Sequence, residues 1–344
     1  MRRVVVASVL LLAASAVAEV KPVSSDPAAR VRLAWSVTVT LSGPVNTAGR
    51  RALPVRGRSY HGRMPQTAHS PQHSASAPAL ALTIAGSEAT GGAGAQADLK
   101  TFQELGVFGI VALTCIVSFD PEDDWNHRFF PVPTEILQQQ LDAIQGDYPE
   151  RLRTVKLGMQ GSPEVIRTSA AALRRAEWDH VVLDPVLICK GQEPGHALDT
   201  DQALKAELLP LATFTTPNHF ETEQLSGMTV RSVEDLTAAA RRIHEISGAA
   251  VLAKGGMHLP GPDAVDVFVD GDTVEVLSAP KIGQSGVSGA GCSLAAAVTA
   301  ELAKGATTLE AARRAKEFVR AGIAQAVEGR TPFAALWQGG LRSA

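Results

Sequence analysis

The 344 residues carry 32 Lys and Arg against 35 Asp and Glu, a formal net charge of −3, and 45% of them are hydrophobic. That balance excludes the polycationic surface that binds nucleic acid through counterion release, and it supplies a sizeable core for one large α/β domain or two ordinary ones. Three widely spaced cysteines, Cys115, Cys189 and Cys292, fit neither a disulfide framework nor a CxxC metal site and suit a reducing compartment.

The chain opens on Met1-Arg2-Arg3, apolar Val4 to Val17 and Ala16-Val17-Ala18, the pattern of a secretory signal. From Glu19 to about Ser76 Arg, Pro, Ser and His dominate without periodicity, and Met64 shortly precedes the first convincing strand. Two readings compete: a targeting segment with a linker, or an upstream extension with Met64 as the true start. The character of everything after Ala77 favours the extension for residues 1–77 and a cytoplasmic protein. No later run reaches the roughly 20 apolar residues of a membrane span, which sets membranes aside as partners.

From Ala79 onward, short β-branched or apolar runs alternate with longer amphipathic ones, which predicts a mostly parallel sheet with helices on both faces. Strands are expected at Ala79 to Ala85, Ile110 to Val117, Thr154 to Leu157, His180 to Leu183, Thr213 to Thr215, Ala250 to Ala253, Ala264 to Val269 and Thr273 to Leu277. Helical patterns lie at Gln96 to Leu105, Thr134 to Ile144, Pro163 to Arg175, Asp201 to Leu209, Phe220 to Leu225, Val233 to Ile246, Cys292 to Lys304 and Thr308 to Val327. Asp270-Gly271-Asp272 joins the last two strands as a hairpin, the one antiparallel excursion expected. The domain is bounded at 78–330, with 331–344 as a tail.

Five stretches carry candidate chemistry. Gly86-Ser87-Glu88-Ala89-Thr90-Gly91-Gly92-Ala93-Gly94 follows the first strand; it is either a ligand-approaching backbone or a flexible turn, and matches neither GxGxxG nor a P-loop. Asp184-Pro185-Val186 ends a strand and leads into Leu187-Ile188-Cys189-Lys190-Gly191, gathering a carboxylate, a thiol and a cation. In Thr216-Pro217-Asn218-His219-Phe220-Glu221, Asn218 and Glu221 share one helical face near a strand's carboxyl end. Glu221 there can hold Mg²⁺, and the pair equally reads as a capped helix start. Lys254-Gly255-Gly256 offers an ammonium and backbone to phosphates, or is a plain β-turn. Gly286-Val287-Ser288-Gly289-Ala290-Gly291-Cys292 frees several N–H groups at a helix start, a site for an anion or developing charge with a lowered thiol pKa at Cys292, or else a buried helix-start cysteine.

In this order the motifs resemble the ribokinase-like superfamily, within the branch of hydroxymethylpyrimidine kinases and related pyridoxal kinases. The resemblance runs from about Ala79 to Val327. Ala81 to Ser87, Gly91 to Gly94, Gln96 to Phe102, Asp184-Pro185-Val186, Thr216-Pro217-Asn218 with Glu221, and Gly289-Ala290-Gly291-Cys292 carry it. It implies a three-layer α-β-α domain and an ATP- and Mg²⁺-dependent kinase of a small heteroaromatic alcohol, of a superfamily that often forms dimers. It also implies Cys292 as the base, Gly289, Ala290 and Gly291 as the anion hole, and Asp184 and Glu221 at the metal. Asn218, Lys254, Gly255, Gly256, Asp266 and Gly291 would handle ATP, while Gly86, Ser87, Glu88, Gly92, Asp98, Phe119 and Val186 would meet the substrate.

Pyrimidine kinases typically carry Gln-Asn-Thr where Phe119-Asp120-Pro121 stands, and loss of that ring-reading amide disfavours a pyrimidine because its polar edge is buried unpaired. Asp120-Pro121 and Trp125-Asn126-His127 look like the vitamin B6 kinases, as does a second, lid cysteine matched by Cys189. A vitamin B6 kinase is therefore the first reading and a hydroxymethylpyrimidine or phosphomethylpyrimidine kinase the second. The sequence departs from the branch at Glu88 for Asp, at Leu157 in Lys156-Leu157-Gly158-Met159, and at Val287-Ser288 for Thr-His; Glu88, Val287 and Ser288 motivate a third reading, a catalytically weak vitamer-binding protein.

Overall fold

A computed structural model describes residues 77–187, 194–283 and 286–343. The signal-like run, Met64 and Cys189 lie outside the described residues.

Nine strands form one sheet in the order β3-β2-β1-β4-β5-β6-β7-β8-β9. They are β1 (Leu80–Glu88), β2 (Phe108–Asp120), β3 (Asn126–Pro131), β4 (Thr154–Leu157), β5 (His180–Leu183), β6 (Phe214–Thr215), β7 (Ala250–Gly256), β8 (Asp263–Asp270) and β9 (Thr273–Pro280). The central strands β2, β1, β4, β5, β6 and β7 run parallel. Strands β1 and β4 are buried almost throughout, so they read as continuous runs rather than alternating ones, as expected for strands covered on both faces.

Helices α1 (Gly94–Glu104), α7 (Ala290–Ala303) and α8 (Thr308–Ala324) cover one face, with Phe102, Leu294, Val298 and Phe318 in its core. On the other lie α2 (Thr134–Asp147), α3 (Pro163–Arg174), α4 (Pro194–Ala203), α5 (His219–Ser226) and α6 (Val233–Ser247), the latter packing Leu236 and Ile243 inward. The three-layer α-β-α architecture is the one expected. Among the described residues no helix is long and apolar enough to cross a membrane.

Antiparallel pairing is more extensive than the single hairpin expected. β7 and β8 pair antiparallel, and so do β2 and β3, a strand absent from the sequence-based reading. β3 follows an acidic turn in which Asp124 and Trp125 take positive φ, and its Asn-His-Arg-Phe-Phe-Pro lacks alternation because the edge is largely exposed. Lys254-Gly255-Gly256 is no β-turn: it belongs to β7, with a bulge against β8. Beyond α8 the chain turns back, and Val327 exchanges two backbone hydrogen bonds with Ala335. Residues 334–336 then lie along the loop before α7, where Ser288 N–H donates to Ala334 O and Leu336 N–H to Ser288 O.

Candidate active site

Two glycine loops meet at the carboxyl end of β1. Gly86 has no space for a side chain, because a β-carbon there would lie 2.5 Å from Cys115 Sγ. After it, the Glu88 carboxylate accepts from the amides of Thr90 (2.6 Å), Gly92 (2.9 Å) and Ala93 (3.0 Å). Gln96 closes the other side, donating to Ser87 Oγ at 2.7 Å and accepting from Glu88 N–H at 2.9 Å. Ser87 and Glu88 are thus committed to the loop and hold it rigid rather than offering their polar atoms to a ligand. The longer arm of Glu, where the branch has Asp, lets the carboxylate reach back over its own loop amides.

The second loop delivers α7. Gly289 takes φ +75° at its N-cap and packs on the carbonyl of Gly92, leaving no room for a β-carbon. Ala290, Gly291 and half-buried Cys292 form the first turn. The expected lowering of the thiol pKa is not found: burial pushes Cys292 up to about 11, with Lys156 pulling down and Asp184 and Asp98 pushing up. Desolvation outweighs the helix dipole here.

Asp98 also stands apart from its expected role. It is fully buried, with Oδ2 2.8 Å from Lys156 Nζ and 2.6 Å from Thr83 Oγ1, so it lies beneath the cleft and not on its wall. Burial raises its pKa against the pull of Lys156.

A charged cluster lies at the ends of β5, β6 and β7. Lys254 Nζ is 3.6 Å from Asp184 Oδ1 and 3.7 Å from where a β-carbon on Gly291 would stand, so the ammonium faces the helix start. Asn218 and Glu221 form a reciprocal capping box at α5, at 2.9 and 2.8 Å. Burial, with the Asp184 charge adding and Lys254 opposing, raises Glu221 to about 7. The carboxylates of Asp184 and Glu221 offer oxygen donors of the kind a hard cation takes. Among the described residues no group of three or more His, Cys, Asp or Glu is placed to hold a metal.

Gly255 is fixed by close approach, since a β-carbon would stand 2.4 Å from the Val265 carbonyl, and Gly256 takes φ +52°. Asp266, expected at the nucleotide, is instead paired with Lys316 at 2.7 Å. Val186 follows Asp184 half-buried.

On the β2–β3 hairpin the rings of Phe119 and His127 meet at a tilt of 60° with centroids 4.5 Å apart. With Trp125 and Phe333 they line a cavity of about 90 Å³ that reaches Gly92 and Ser288. Lys156, Thr83 and Gln96 were not singled out as site residues. A lysine inside the otherwise apolar run Thr154 to Leu157 was the signal available for the first.

Residues 88–333 match the model of the phosphomethylpyrimidine kinase family. Pyridoxine kinase of Bacillus subtilis (strain 168) is 47% identical over 248 residues, 71% of this chain and 89% of its own length. The ADP complex of Bacillus subtilis pyridoxal kinase superposes with a TM-score of 0.73 at 43% identity, covering 78% of this chain and 100% of that one. Pyridoxal kinase from Staphylococcus aureus in complex with AMP-PCP and pyridoxal gives 0.71 at 37%, covering 77% and 95%. In sequence and in fold alike, the chain belongs to the phosphomethylpyrimidine kinase family.

Proposed function

We propose that the protein transfers the γ-phosphoryl group of ATP to the 5-hydroxymethyl group of pyridoxal, pyridoxine or pyridoxamine. The observation that carries the choice of substrate is the tilted Phe119–His127 pair beside Gly92 and Ser288, which offers aromatic rings where a pyrimidine kinase has an amide. The 47% identity to a pyridoxine kinase points the same way.

In this reading ATP lies across the ends of β6 and β7, near Asn218, Lys254 and the Gly255-Gly256 bulge. The substrate oxygen attacks the γ-phosphorus as the bond to the β-phosphate oxygen breaks and ADP leaves, and Cys292, acting as its thiolate, takes the hydroxyl proton. The N–H groups of Gly289 to Gly291, reinforced by the α7 dipole and by Lys254, receive the charge that develops on the phosphoryl oxygens. Asp184 and Glu221 would hold Mg²⁺, which supplies charge neutralisation between phosphate oxygens. We also place a homodimer contact at the β3 edge, where the cross-strand partners Ile116 and Phe130 are 47% and 55% exposed.

The deciding experiment compares kcat/KM for pyridoxal and for hydroxymethylpyrimidine with the purified protein. A clear preference for the pyrimidine would install the second reading, which the family's own description favours. Tight vitamer binding without ATP turnover would install the third.

A further inference from the structure

The segment after α8, expected as a tail, is built into the wall of the cavity beside Gly92 and Ser288. Of the residues around that cavity, Thr331, Pro332, Phe333 and Ala335 belong to it, and the β2–β3 hairpin supplies Phe119, Trp125 and His127. Ala335 exchanges backbone hydrogen bonds with Val327 at 2.7 and 2.9 Å, Ser288 is bonded to Ala334 and Leu336, and Leu336 and Gln338 are buried. The Ala335 β-carbon lies 3.2 Å from where a β-carbon on Gly92 would stand, so the segment packs against the first glycine loop as well as the second. Thr331 Oγ1 donates to the Phe333 carbonyl at 3.0 Å and fixes the turn between them.

Anchoring accounts for Leu336 and Gln338 but not for Phe333, which stays 46% exposed at the cavity. The hairpin shows a similar excess. Asp124 and Trp125 take φ of 44° and 60°, a region that bulky residues rarely adopt, and such backbone is characteristic of places where a side chain is held for function. Trp125 N–H closes that turn by donating to Asp120 O at 2.8 Å. The space between hairpin and return segment is small. Pockets that enclose a whole ligand usually run from roughly 300 Å³ upward, so a cavity of about 90 Å³ takes one edge of a ring rather than the ring with its phosphoryl donor.

We propose that Phe333, with Pro332, closes this slot over the ring methyl that stands opposite the hydroxymethyl group of the substrate, which makes the carboxyl-terminal segment a determinant of specificity. With the hydroxymethyl oxygen at the start of α7, a methyl across a six-membered ring points directly away from it, toward the hairpin and the return segment. The proposal rests on a heteroaromatic alcohol being bound there, and it holds for either class of vitamer. Pyridoxal and hydroxymethylpyrimidine both carry a methyl para to the hydroxymethyl group. Covering that methyl with Pro332 and Phe333 removes apolar surface from water without touching the reacting atoms, so it favours bound substrate and transition state alike.

Steady-state kinetics with pyridoxal and with its homologue lacking the ring methyl test this. One such group in an apolar pocket is typically worth about 10- to 200-fold, so the parent should prefer pyridoxal by about tenfold or more in kcat/KM. In Phe333→Ala the preference should shrink to about threefold or less, through KM and with kcat near the parent value, as expected for loss of uniform binding. Phe333→Leu, which keeps an apolar wall, should retain most of it. A parent indifferent to the methyl overturns the proposal, and so does a folded Phe333→Ala protein that keeps the parent preference. A kcat that falls by one factor for both compounds also overturns it, since that marks a structural role through Ser288. Melting temperature and ADP affinity report folding, and if Phe333→Ala unfolds, Phe333→Gln is read by the same criteria. Should the protein prefer the pyrimidine, hydroxymethylpyrimidine and its homologue without the methyl give the same comparison. Should it bind without turnover, calorimetry gives the preference as a ratio of Kd. A wrong choice of alcohol thus shows in which pair is used, and a wrong role for Phe333 in the methyl preference within that pair.

Discussion

Gly289 rests directly against the carbonyl of Gly92, so the turn that opens α7 and the glycine loop that opens α1 are built as one unit. Both the left-handed backbone at Gly289 and the missing space for a β-carbon demand glycine. Gly289→Ala should cost about 1–2 kcal/mol from the backbone alone, and pushing the loops apart should lower kcat by at least about tenfold. Thermal unfolding and steady-state kinetics on the same preparation check this, and a variant with parent kcat would separate the two loops functionally.

The segment beyond Arg330 supports that unit from the other side. Ser288 is held by backbone bonds to Ala334 and Leu336, Gln338 Nε2 donates to Ser293 Oγ at 3.2 Å, and Leu336 is buried. Deleting residues 331–344 removes these contacts, each backbone bond contributing about 1 kcal/mol, along with the burial of Leu336. We expect a lower melting temperature and a loss of kcat exceeding the loss in nucleotide affinity, measured by calorimetry against ADP. Unchanged turnover would show that Ser288 needs no support from the carboxyl terminus.

Much of this was legible in the sequence because local rules and the global fold agree. Buried strands read as β-branched runs, and the helix starts at Ser162, Ser232 and Thr307 carry their own capping side chains. What local spacing could not show shares one physical cause, that side chains find partners far along the chain. Asp266 is taken by Lys316, 50 residues on, and Asp98 by Lys156, 58 residues on. Local spacing cannot report either pairing. The Cys292 thiol was misjudged for a related reason, since the helix dipole is visible locally and desolvation by the folded chain is not. Strand β3 escaped because an exposed edge strand has no face that must be apolar.

Glu221 makes a prediction about pH. Its folded pKa, about 7, stands above the ordinary glutamate value near 4.5, because burial and Asp184 disfavour the charge. A group raised in this way stabilises the fold below its unfolded pKa, and that contribution is lost as pH rises through the folded value. The apo protein should therefore lose stability between about pH 4.5 and pH 7. Glu221→Gln, which retains the capping geometry, should flatten that part of the profile in urea titrations at several pH values. An unchanged slope would assign the pH dependence to other groups.

Cys292→Ala separates chemistry from binding. Losing a general base typically costs about 10²- to 10⁴-fold in rate, while Asn218 and Lys254 are untouched. We expect kcat to fall in that range with ADP affinity unchanged, by stopped-flow turnover and calorimetry. Parent turnover in the variant would remove the base from Cys292.

The last prediction concerns the tilted aromatic pair proposed to select the substrate. Phe119 and His127 are cross-strand partners on β2 and β3, a pair of the kind that adds about 0.5–1.5 kcal/mol beyond area burial. Phe119→Gln removes the ring face and supplies an amide at the position where the pyrimidine kinases have one. If the Phe119–His127 pair selects a pyridine ring, kcat/KM for pyridoxal should drop by about tenfold while that for hydroxymethylpyrimidine rises, because an amide can pair the aminopyrimidine edge that Phe119 leaves unpaired. The sign of the second change is the informative one. A hairpin merely loosened by the substitution lowers both values together, and that parallel loss would move the origin of specificity away from Phe119.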